Sequence, residues 1–470
     1  MEYQPTIGLE IHAELSTRTK MFCSCVNDPD ETKPNKNVCP VCLAHPGTLP
    51  VINKRAVEHL LRIGAAIGGT LANFSEFDRK SYFYPDIPKG YQVSQYAYPL
   101  VQGGTLAGVA ITRVHLEEDT ARSVHSSKGS AVDFNRAGIP LMELVTEPVI
   151  RDAETAGRFA RELQLLLRTV KAGAANLEKG EMRIEANVSV SNTGALGTKV
   201  EVKNINSFRS VERAIAFETE RQATLLRRGE RVVQETRGWD ESKQITFHQR
   251  FKEGSADYRY FPEPDLPKLI LADIGAFSGE VLRGSLPELP GERRLRYKKA
   301  YDLKTEDITY LCATPERSTF FDLVAECLGH APELIALAAN YIVSDLAGLY
   351  AKKGAEEYQK LDPQSFADLV RLVRSGKLSS RGAKDTLGVL VQKGGDPETI
   401  AREEGLIQVH DASFLEQAVR YVLAQEKKAV VEYRSGKESA LQYLIGKSMR
   451  ATQGAGNPAL LKEILQRLLG

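Results

Sequence analysis

This chain has few cysteines and almost no net charge, and each of these two observations excludes a class of protein. The 470 residues include 6 cysteines, which is too few for a small secreted scaffold held by disulfides. Lysine and arginine together number 62 against 61 aspartates and glutamates, so the molecule as a whole is not a polycation. Any nucleic acid must therefore be bound by a local basic patch and not by global charge.

Targeting signals and long apolar runs are also not evident. Residues 1–5 contain no basic stretch followed by an apolar one, so we predict no secretory signal. We find no apolar run of about 18 residues and predict no membrane-spanning segment. A cytoplasmic location is the expectation that follows, and the length suits about three domains.

The glycine signatures of nucleotide-binding loops are missing. Gly446, Lys447 and Ser448 resemble the end of a phosphate-binding loop, but Leu441 occupies the position of its first glycine. No G-x-G-x-x-G follows a predicted strand, and no amidase signature or Cys–His pair for glutamine hydrolysis stands out. If this protein uses ATP, a metal ion and basic side chains must hold the phosphates.

Four of the six cysteines form two close pairs. Cys23 and Cys25 are separated by one residue, Cys39 and Cys42 by two, and thirteen residues lie between the pairs. Two thiolate pairs at such a spacing are typical of tetrahedral zinc sites. We predict a structural zinc ion in the loop 23–42. The alternative is four reduced thiols in a loop that has lost its metal.

Carboxylates occupy unusual positions on predicted strands. Residues 7–14 alternate with period two, so Glu10 and His12 project from one face, about 7 Å apart. Such a pair can ligate a divalent ion or handle protons, or it can be the solvent face of an edge strand. Residues 115–119, with the sequence HLEED, end another predicted strand. Their charges repel one another unless a cation or donor neutralises them, or unless the strand end is solvated.

A further carboxylate, Glu143, lies in an apolar strand segment that looks buried on both faces. Burial costs such a group several kcal/mol unless it is paired or bound to metal, and a buried ion pair with Arg136 is the alternative to a metal. Strict alternation places Glu117 and Glu118 on opposite faces of their strand, and the sequence does not choose between them. If the strands share one sheet, an Mg²⁺ or Mn²⁺ site is predicted. Its ligands would be Glu10, His12, Glu117 or Glu118, Glu143 and Glu185.

Strand patterns give way to helical ones after a cluster of prolines between positions 262 and 290. We place a domain boundary at Gly291 and a weaker joint at residues 394–397. Beyond the boundary, apolar residues recur at helical spacing, and a basic run lies between Lys427 and Arg450. The predicted fold class is therefore α+β, with a β-rich first part and a helical second part.

Several long motifs occur in a fixed order along the chain. They are IGLEIH (7–12), VCPVCL (38–43), YFYPD (82–86), HLEED (115–119), DFNRAGIPLME (133–143), KNINSF (203–208), QETRGW (234–239) and DYRYFPEPD (257–265). Together they resemble the B subunits of the tRNA-dependent aspartyl/glutamyl amidotransferases, and the similarity runs almost end to end. The resemblance implies a β-rich cradle domain (1–291), a helical domain (292–404) and a small YqeY-like helical tail (405–470).

The resemblance also implies an activity, that of an ATP-dependent carbon–nitrogen ligase with glutamine as nitrogen donor. In this family, ATP and Mg²⁺ serve to phosphorylate the side-chain carboxylate of Glu-tRNA(Gln) or Asp-tRNA(Asn), and ammonia then displaces phosphate. The ammonia comes from a glutaminase, or amidase, subunit, and a small third subunit completes a heterotrimer. The misacylating aminoacyl-tRNA synthetase is a further possible partner.

Individual residues take roles from the same resemblance. Glu10, His12, Glu118 and Glu143 would be catalytic, and these four with Glu185 would bind Mg²⁺. Position 185 is commonly aspartate in the family, which puts direct ligation by Glu185 in doubt. Zinc would be bound by Cys23, Cys25, Cys39 and Cys42. Phosphate or nucleotide contacts are predicted for Lys89, Lys203 and Asn204, and tRNA contacts for Lys427, Lys428, Arg434, Lys447 and Arg450.

Two rival functions remain open from the sequence. The chain could be a non-catalytic, zinc-containing tRNA-binding scaffold whose acidic cluster is only a structural ion site. It could also be a free-standing, metal-dependent nucleotidyl or phosphoryl transferase. The sequence does not choose between the Asn and the Gln pathway.

Overall fold

The computed structural model describes residues 3–127, 129–251, 258–408, 412–452 and 456–470, so Asp257 of the DYRYFPEPD motif lies outside it. Two compact units are present, Met1–Pro290 and Gly291–Gly470. The first contains the strands and the second is helical, which confirms the α+β fold class. The strands are β1 (Gln4–Glu14), β2 (Thr70–Leu71), β3 (Phe74–Ser75), β4 (Asp78–Ser81), β5 (Tyr91–Ser94), β6 (Val101–Gln102), β7 (Thr105–Leu106), β8 (Val109–Glu118), β9 (Arg122–Ser126), β10 (Gly129–Asp133), β11 (Pro140–Thr146), β12 (Met182–Ser191), β13 (Val200–Ile205), β14 (Glu235–Asp240), β15 (Ile245–Phe251), β16 (Phe261–Pro262) and β17 (Leu269–Ile270).

One large sheet organises the first unit. Its strand order is β15-β14-β13-β12-β1-β11-β8-β6-β2, with β7 also paired to β8. Neighbours are antiparallel except β13 and β14, which are parallel. The long strand β1 lies between β12 and β11 and forms an antiparallel ladder with each. The alternating polar and apolar residues of segments 182–190 and 198–204 predict a hairpin, and the structure has it as the antiparallel pair β12 and β13.

Helices cover the apolar face of this sheet. Ile7, Leu9 and Ile11 of β1 are at most 1% exposed and belong to one core with residues from the covering helices. Side chains alternate between faces along a strand, so the same alternation leaves polar residues on the other face. These helices are α1 (Lys54–Ala66), α2 (Ala153–Thr169) and α3 (Phe208–Arg227), followed by a short α4 (Gly279–Gly284).

The second unit has two separate hydrophobic cores, one from residues 297–401 and one from residues 415–469. The predicted division into domains 292–404 and 405–470 stays a prediction. The helices are α5 (Pro290–Tyr301), α6 (Thr305–Leu311), α7 (Pro315–Cys327), α8 (Pro332–Asn340), α9 (Ala347–Lys353), α10 (Pro363–Arg374), α11 (Ser380–Lys393), α12 (Pro397–Glu403), α13 (Ala412–Gln425), α14 (Lys427–Arg434), α15 (Ser439–Ala451) and α16 (Pro458–Leu469).

One stretch of the second unit is more apolar than the sequence reading indicated. α8, a π-helical segment Tyr341–Leu346 and α9 form the continuous stretch Pro332–Lys353, whose 22 residues are long and apolar enough to cross a membrane. The sequence reading missed it because a few polar residues interrupt the stretch. Ile335, Ile342 and Leu346 are fully buried in the first core of this unit, and core helices commonly meet the same test of length and composition.

Candidate metal and phosphoryl-transfer site

Polar side chains of four strands meet on the face of the sheet opposite the helices. The register pairs His12 of β1 with Glu143 of β11, and Glu143 with His115 of β8. It also pairs Glu10 of β1 with Glu185 of β12. Side chains at directly paired positions lie within about 5.5 Å of each other, so this register brings the residues together. The sequence-predicted Glu10, His12 and Glu143 thus form one cluster.

Imidazoles and carboxylates alternate within this cluster. His12 Nε2 lies 3.3 Å from Glu143 Oε2 and 3.8 Å from Glu117 Oε2. His115 Nε2 lies 3.5 Å from Glu143 Oε2 and 3.5 Å from Glu117 Oε1. Two ligands of one Mg²⁺, each about 2.1 Å from the ion, can be no more than about 4.2 Å apart. The spacing and the donor types therefore fit a divalent cation.

A second group of carboxylates adjoins the first through Glu10. Ligand atoms of Glu10, Glu185 and Glu201 lie within 4.8 Å of one another. Lys203 Nζ is 2.8 Å from Glu185 Oε2 and 3.8 Å from Glu201 Oε2, which places one cation beside the three acids. Predicted residues Glu185 and Lys203 thus lie at the cluster. Asn204 does not, because it is exposed and lines a different cavity.

Glu118 is not in the cluster, and Glu117 is there in its place. The Glu118 carboxylate accepts a hydrogen bond from the Val93 N–H at 2.9 Å and lies 2.6 Å from Lys89 Nζ. Glu118 and Lys89 line a separate cavity of about 270 Å³. The structure therefore places Glu117, and not Glu118, beside His12. Neighbouring residues of a strand project to opposite faces, and only the register could decide between them.

The ion pair that Glu143 forms in the structure is also different from the one that the sequence suggested. Arg113 of the neighbouring strand lies 3.5 Å from Glu143, whereas Arg136 lies 3.5 Å from Asp119. The alternative of a Glu143–Arg136 pair is wrong. Sequence reasoning could not identify Arg113 because it did not give the pairing of β8 with β11.

Without a bound metal, the carboxylates of the cluster favour protonated imidazoles. Burial opposes a charged His12, but the hydrogen bond and charge of Glu143 outweigh it and raise the pKa of His12 to about 9. Burial likewise opposes a charged His115, but Glu143 and Glu117 raise the pKa of His115 to about 9. Burial and the charges of Glu143 and Glu185 raise the pKa of Glu10 to about 6. A divalent cation bound here would take over this neutralising role and release protons.

A group of tyrosine rings lies next to the acidic cluster. Lys80 Nζ lies 4.0 Å from Glu117 Oε1 and 5.1 Å from the centre of the Tyr258 ring. Tyr82 and Tyr260 each lie with their ring centres 6.0 Å from that of Tyr258. Residues 79–91 mix aromatic and basic side chains in the sequence, a pattern that suits a nucleotide or RNA surface because such rings stack on bases.

The four cysteines predicted to bind zinc lie together in the loops between β1 and α1. Their sulfur atoms are within 4.8 Å of one another, and Cys39 Sγ and Cys42 Sγ are 3.9 Å apart. A tetrahedral site with Zn–S distances of about 2.3 Å has sulfurs about 3.8 Å apart. A hydrogen bond from Cys23 lowers the pKa of the Cys42 thiol to about 5, and the same hydrogen bond raises the pKa of the Cys23 thiol. Geometry and donor set therefore fit zinc.

The basic residues predicted to contact tRNA are placed on two neighbouring helices of the second unit. α14 carries Lys427, Lys428 and Arg434, and α15 carries Lys447 and Arg450. Lys447 Nζ lies 2.7 Å from Glu426 Oε1, so this charge is partly neutralised. The role of these five residues stays a prediction.

Three residues of the close ligand groups were not assigned as ligands from the sequence. His115 and Glu201 were missed, and Glu117 was left open against Glu118. Period-two alternation put His115 and Glu117 on one face, and Glu201 on the polar face of its hairpin. The missing information was the sheet order, which brings β8 and β13 to the same face as β1.

Comparison with known proteins supports the same assignment along the whole chain. The family model described as the GatB/GatE catalytic domain matches residues 5–274, and the one described as the GatB domain matches residues 322–469. The aspartyl/glutamyl-tRNA(Asn/Gln) amidotransferase B subunit of Thermomicrobium roseum is 44% identical over 484 residues, covering 100% of this chain and 99% of the relative. The proteins of that name from Thermus thermophilus and Thermotoga maritima are 44% and 41% identical, with the same coverage. The chain therefore belongs to the family of B subunits of tRNA-dependent aspartyl/glutamyl amidotransferases.

Proposed function

We propose that this protein phosphorylates the side-chain carboxylate of misacylated Glu-tRNA(Gln) or Asp-tRNA(Asn) and hosts the amidation that follows. The observation that carries the proposal is the convergence of Glu10, His12, Glu117 and Glu143, from three neighbouring strands, on one sheet face. The relatives are named for aspartyl/glutamyl-tRNA(Asn/Gln) amidation, which gives the substrate class.

A carboxylate must be activated before ammonia can convert it to an amide, because oxide is not a leaving group. In the first step, a carboxylate oxygen attacks the γ-phosphorus of ATP, and ADP leaves. In the second, ammonia attacks the carbonyl carbon of the acyl phosphate, phosphate leaves, and one proton passes to a base. Positioning and charge stabilisation are what a protein contributes to such a transfer.

The residues of the cluster have distinct tasks in this scheme. Glu10, His12, Glu117 and Glu143 would hold Mg²⁺, which supplies positive charge to offset that on the phosphoryl oxygens. Lys203, which forms ion pairs with Glu185 and Glu201, would contact phosphate. The alternative role of His12 is to act on protons instead of binding the ion, because an imidazole nitrogen that binds a metal cannot hold a proton at the same time.

Zinc and partner proteins complete the proposal. Zinc bound by the four cysteines would fix the loop 23–42, whose polar residues have little core of their own. Ammonia would come from a glutaminase subunit joined to this chain in a heterotrimer by the small third subunit, since no glutaminase signature stands out in this sequence. The misacylating synthetase is a further proposed partner, and a cytoplasmic location stays a prediction.

The test compares Glu143→Gln with wild-type protein in the rebuilt complex. Transfer of the γ-phosphoryl group from ATP to Glu-tRNA(Gln) is measured with Mg²⁺, and tRNA binding is measured in parallel. We expect Glu143→Gln to lower transfer by about 100- to 1,000-fold because one charged group of the site is lost, with tRNA binding unchanged. Glu178→Gln, a change of an exposed carboxylate in the same unit, is the control.

The rival functions give different results in the same assay. A tRNA-binding scaffold would retain amidation in the Glu143→Gln complex. A free-standing phosphoryl transferase would turn over ATP at the full rate without charged tRNA. Either result would contradict the proposal.

A further inference from the structure

Lys20 is among the largest fully buried side chains of the protein, with 1% of its surface exposed. Its ammonium group donates a hydrogen bond to the Phe134 carbonyl at 3.2 Å and reaches Cys42 Sγ at 3.8 Å. Among the residues that the structure describes, no carboxylate forms an ion pair with it. A buried ammonium without an anion costs several kcal/mol, so its position calls for a source of negative charge.

The cysteine cluster is that source. Four thiolates carry more negative charge than one Zn²⁺ neutralises, and the site lies in a partly buried loop. The thiolate nearest to Lys20 is Cys42, the most buried of the four cysteines. An ammonium at this distance reduces the excess charge and donates to sulfur, as residues next to metal ligands commonly do.

The backbone of Lys20 is held as firmly as its side chain. Its N–H donates to the Cys25 carbonyl at 2.9 Å, and Asn53 Nδ2 donates to the Lys20 carbonyl at 3.2 Å. Lys20 thus contacts the first cysteine pair through its backbone and the second through its ammonium. Gly138 packs against the side chains of both Lys20 and Cys42. A Cβ at position 138 would lie 3.6 Å from Lys20 Cδ and 3.7 Å from Cys42 Cβ.

We propose that Lys20 is a positioning residue for the four-cysteine zinc site, which it stabilises by donating to the Cys42 thiolate and by offsetting the excess negative charge. The inference rests on the zinc site of the proposed function. It is independent of the phosphoryl transfer, which is measured by a different assay. Residues next to metal ligands typically contribute about 10- to 100-fold in metal affinity.

The experiment compares Lys20→Met with Lys36→Met in the full-length chain. Both changes remove one lysine charge from the same part of the sequence, but Lys36 is 56% exposed and pairs with Glu31. Zinc affinity is measured by competition with a chelator. We expect Lys20→Met to bind zinc about 10- to 100-fold more weakly, and Lys36→Met to stay within about twofold of wild type.

Cobalt substitution supplies a readout that a purely structural role would not change. Loss of a hydrogen bond and positive charge at Cys42 makes its thiolate more electron-rich. We therefore expect the thiolate-to-cobalt charge-transfer band of Co²⁺-loaded Lys20→Met to move to longer wavelength, and that of Lys36→Met to stay in place. Should Lys20→Met fail to fold, Lys20→Gln, which keeps a donor and loses the charge, takes its place with the same expectations for affinity.

The proposal is overturned if a folded Lys20→Met or Lys20→Gln protein binds zinc as tightly as Lys36→Met. It is equally overturned if the wild-type chain binds no zinc. Neither result bears on the transfer of phosphate to Glu-tRNA(Gln), so failure of this inference is distinguishable from failure of the proposed function.

Discussion

At the scale of single residues, burial sets the chemistry of the titratable groups, and two histidines illustrate opposite outcomes. His12 lies between carboxylates, which raise its pKa to about 9 although burial opposes the charge. His59 of α1 is 1% exposed, and its Nε2 lies 3.0 Å from the Ser16 carbonyl oxygen. Burial followed by the charge of Arg55 lowers the pKa of His59 to about 4, because the opposing effects of the Ser16 carbonyl and of Glu58 are smaller.

His59 therefore gives the protein a stability contribution that depends on pH. The neutral ring is favoured in the folded state, so the stabilisation is complete above the unfolded pKa of about 6.5 and is lost as the pH falls toward 4. We expect His59→Gln to remove about 2 to 3 kcal/mol of the stability difference between pH 7 and pH 4.5. Urea unfolding of both proteins at the two pH values measures this difference. Equal pH dependence in both would contradict it.

Residue-level prediction from sequence succeeded where alternation alone was sufficient. It placed Glu10 and His12 on one polar face, and the structure brings both to the cluster with Glu143. It did not decide between Glu117 and Glu118, because the face that a strand presents depends on its neighbours in the sheet.

At the scale of elements, the helix termini connect the covering helices to the loops. Asn53 caps α1 by accepting from the N–H groups of Arg55 and Ala56. Its Nδ2 also donates to the carbonyls of Thr19 and Lys20. One side chain thus joins the start of a helix to the segment that carries the first cysteine pair.

We expect Asn53→Ala to destabilise the protein more than loss of an ordinary cap does. Asp152 caps α2 through contacts to Thr155 only, so Asp152→Ala serves as the matched control. We expect Asp152→Ala to lower the free energy of unfolding by about 1 kcal/mol. Asn53→Ala should lower it by about 2 to 3 kcal/mol, because this change also leaves two loop carbonyls without their donor. The free energy of unfolding in urea measures both. Equal losses would contradict the connecting role of Asn53.

Elements with a clear period were predictable, and those broken by turns were less so. The helical spacing of apolar residues in segment 53–67 predicts a helix, which is found as Lys54–Ala66 with those residues buried. The apolar segment around Glu143, residues 132–145, indicates one strand, whereas the structure has two strands, β10 and β11, separated by a turn. Gly138 in that turn has a φ of +86°, which glycine adopts readily, and the apolar neighbours of Glu143 concealed the break.

At the scale of the whole molecule, the chain consists of two units with separate cores. The proline cluster and the end of the strand pattern predicted a boundary at Gly291, and the units divide between Pro290 and Gly291. The sequence could locate this change because it alters the periodicity of the apolar residues. It could not give the sheet order, which depends on contacts between distant segments.

We expect a fragment of residues 1–290 to fold on its own, because its sheet and covering helices form a complete core. Thermal unfolding followed by near-ultraviolet circular dichroism should give one cooperative transition. A fragment ending at residue 206, which lacks α3, β14 and β15, is the control and should not fold cooperatively. A 1–290 fragment without a cooperative transition would contradict the division of the cores.

In the proposed function, one face of the sheet binds a divalent cation between β1, β8 and β11. Titration of Mn²⁺ followed by electron paramagnetic resonance tests it most directly, in wild type and in the Glu10→Gln, Glu143→Gln and Glu118→Gln variants. We expect Glu10→Gln and Glu143→Gln each to weaken Mn²⁺ binding by at least about 10-fold, since each removes a charged ligand, and Glu118→Gln to bind like wild type. Unchanged Mn²⁺ affinity in Glu10→Gln and Glu143→Gln, or loss of binding in Glu118→Gln alone, would contradict the account.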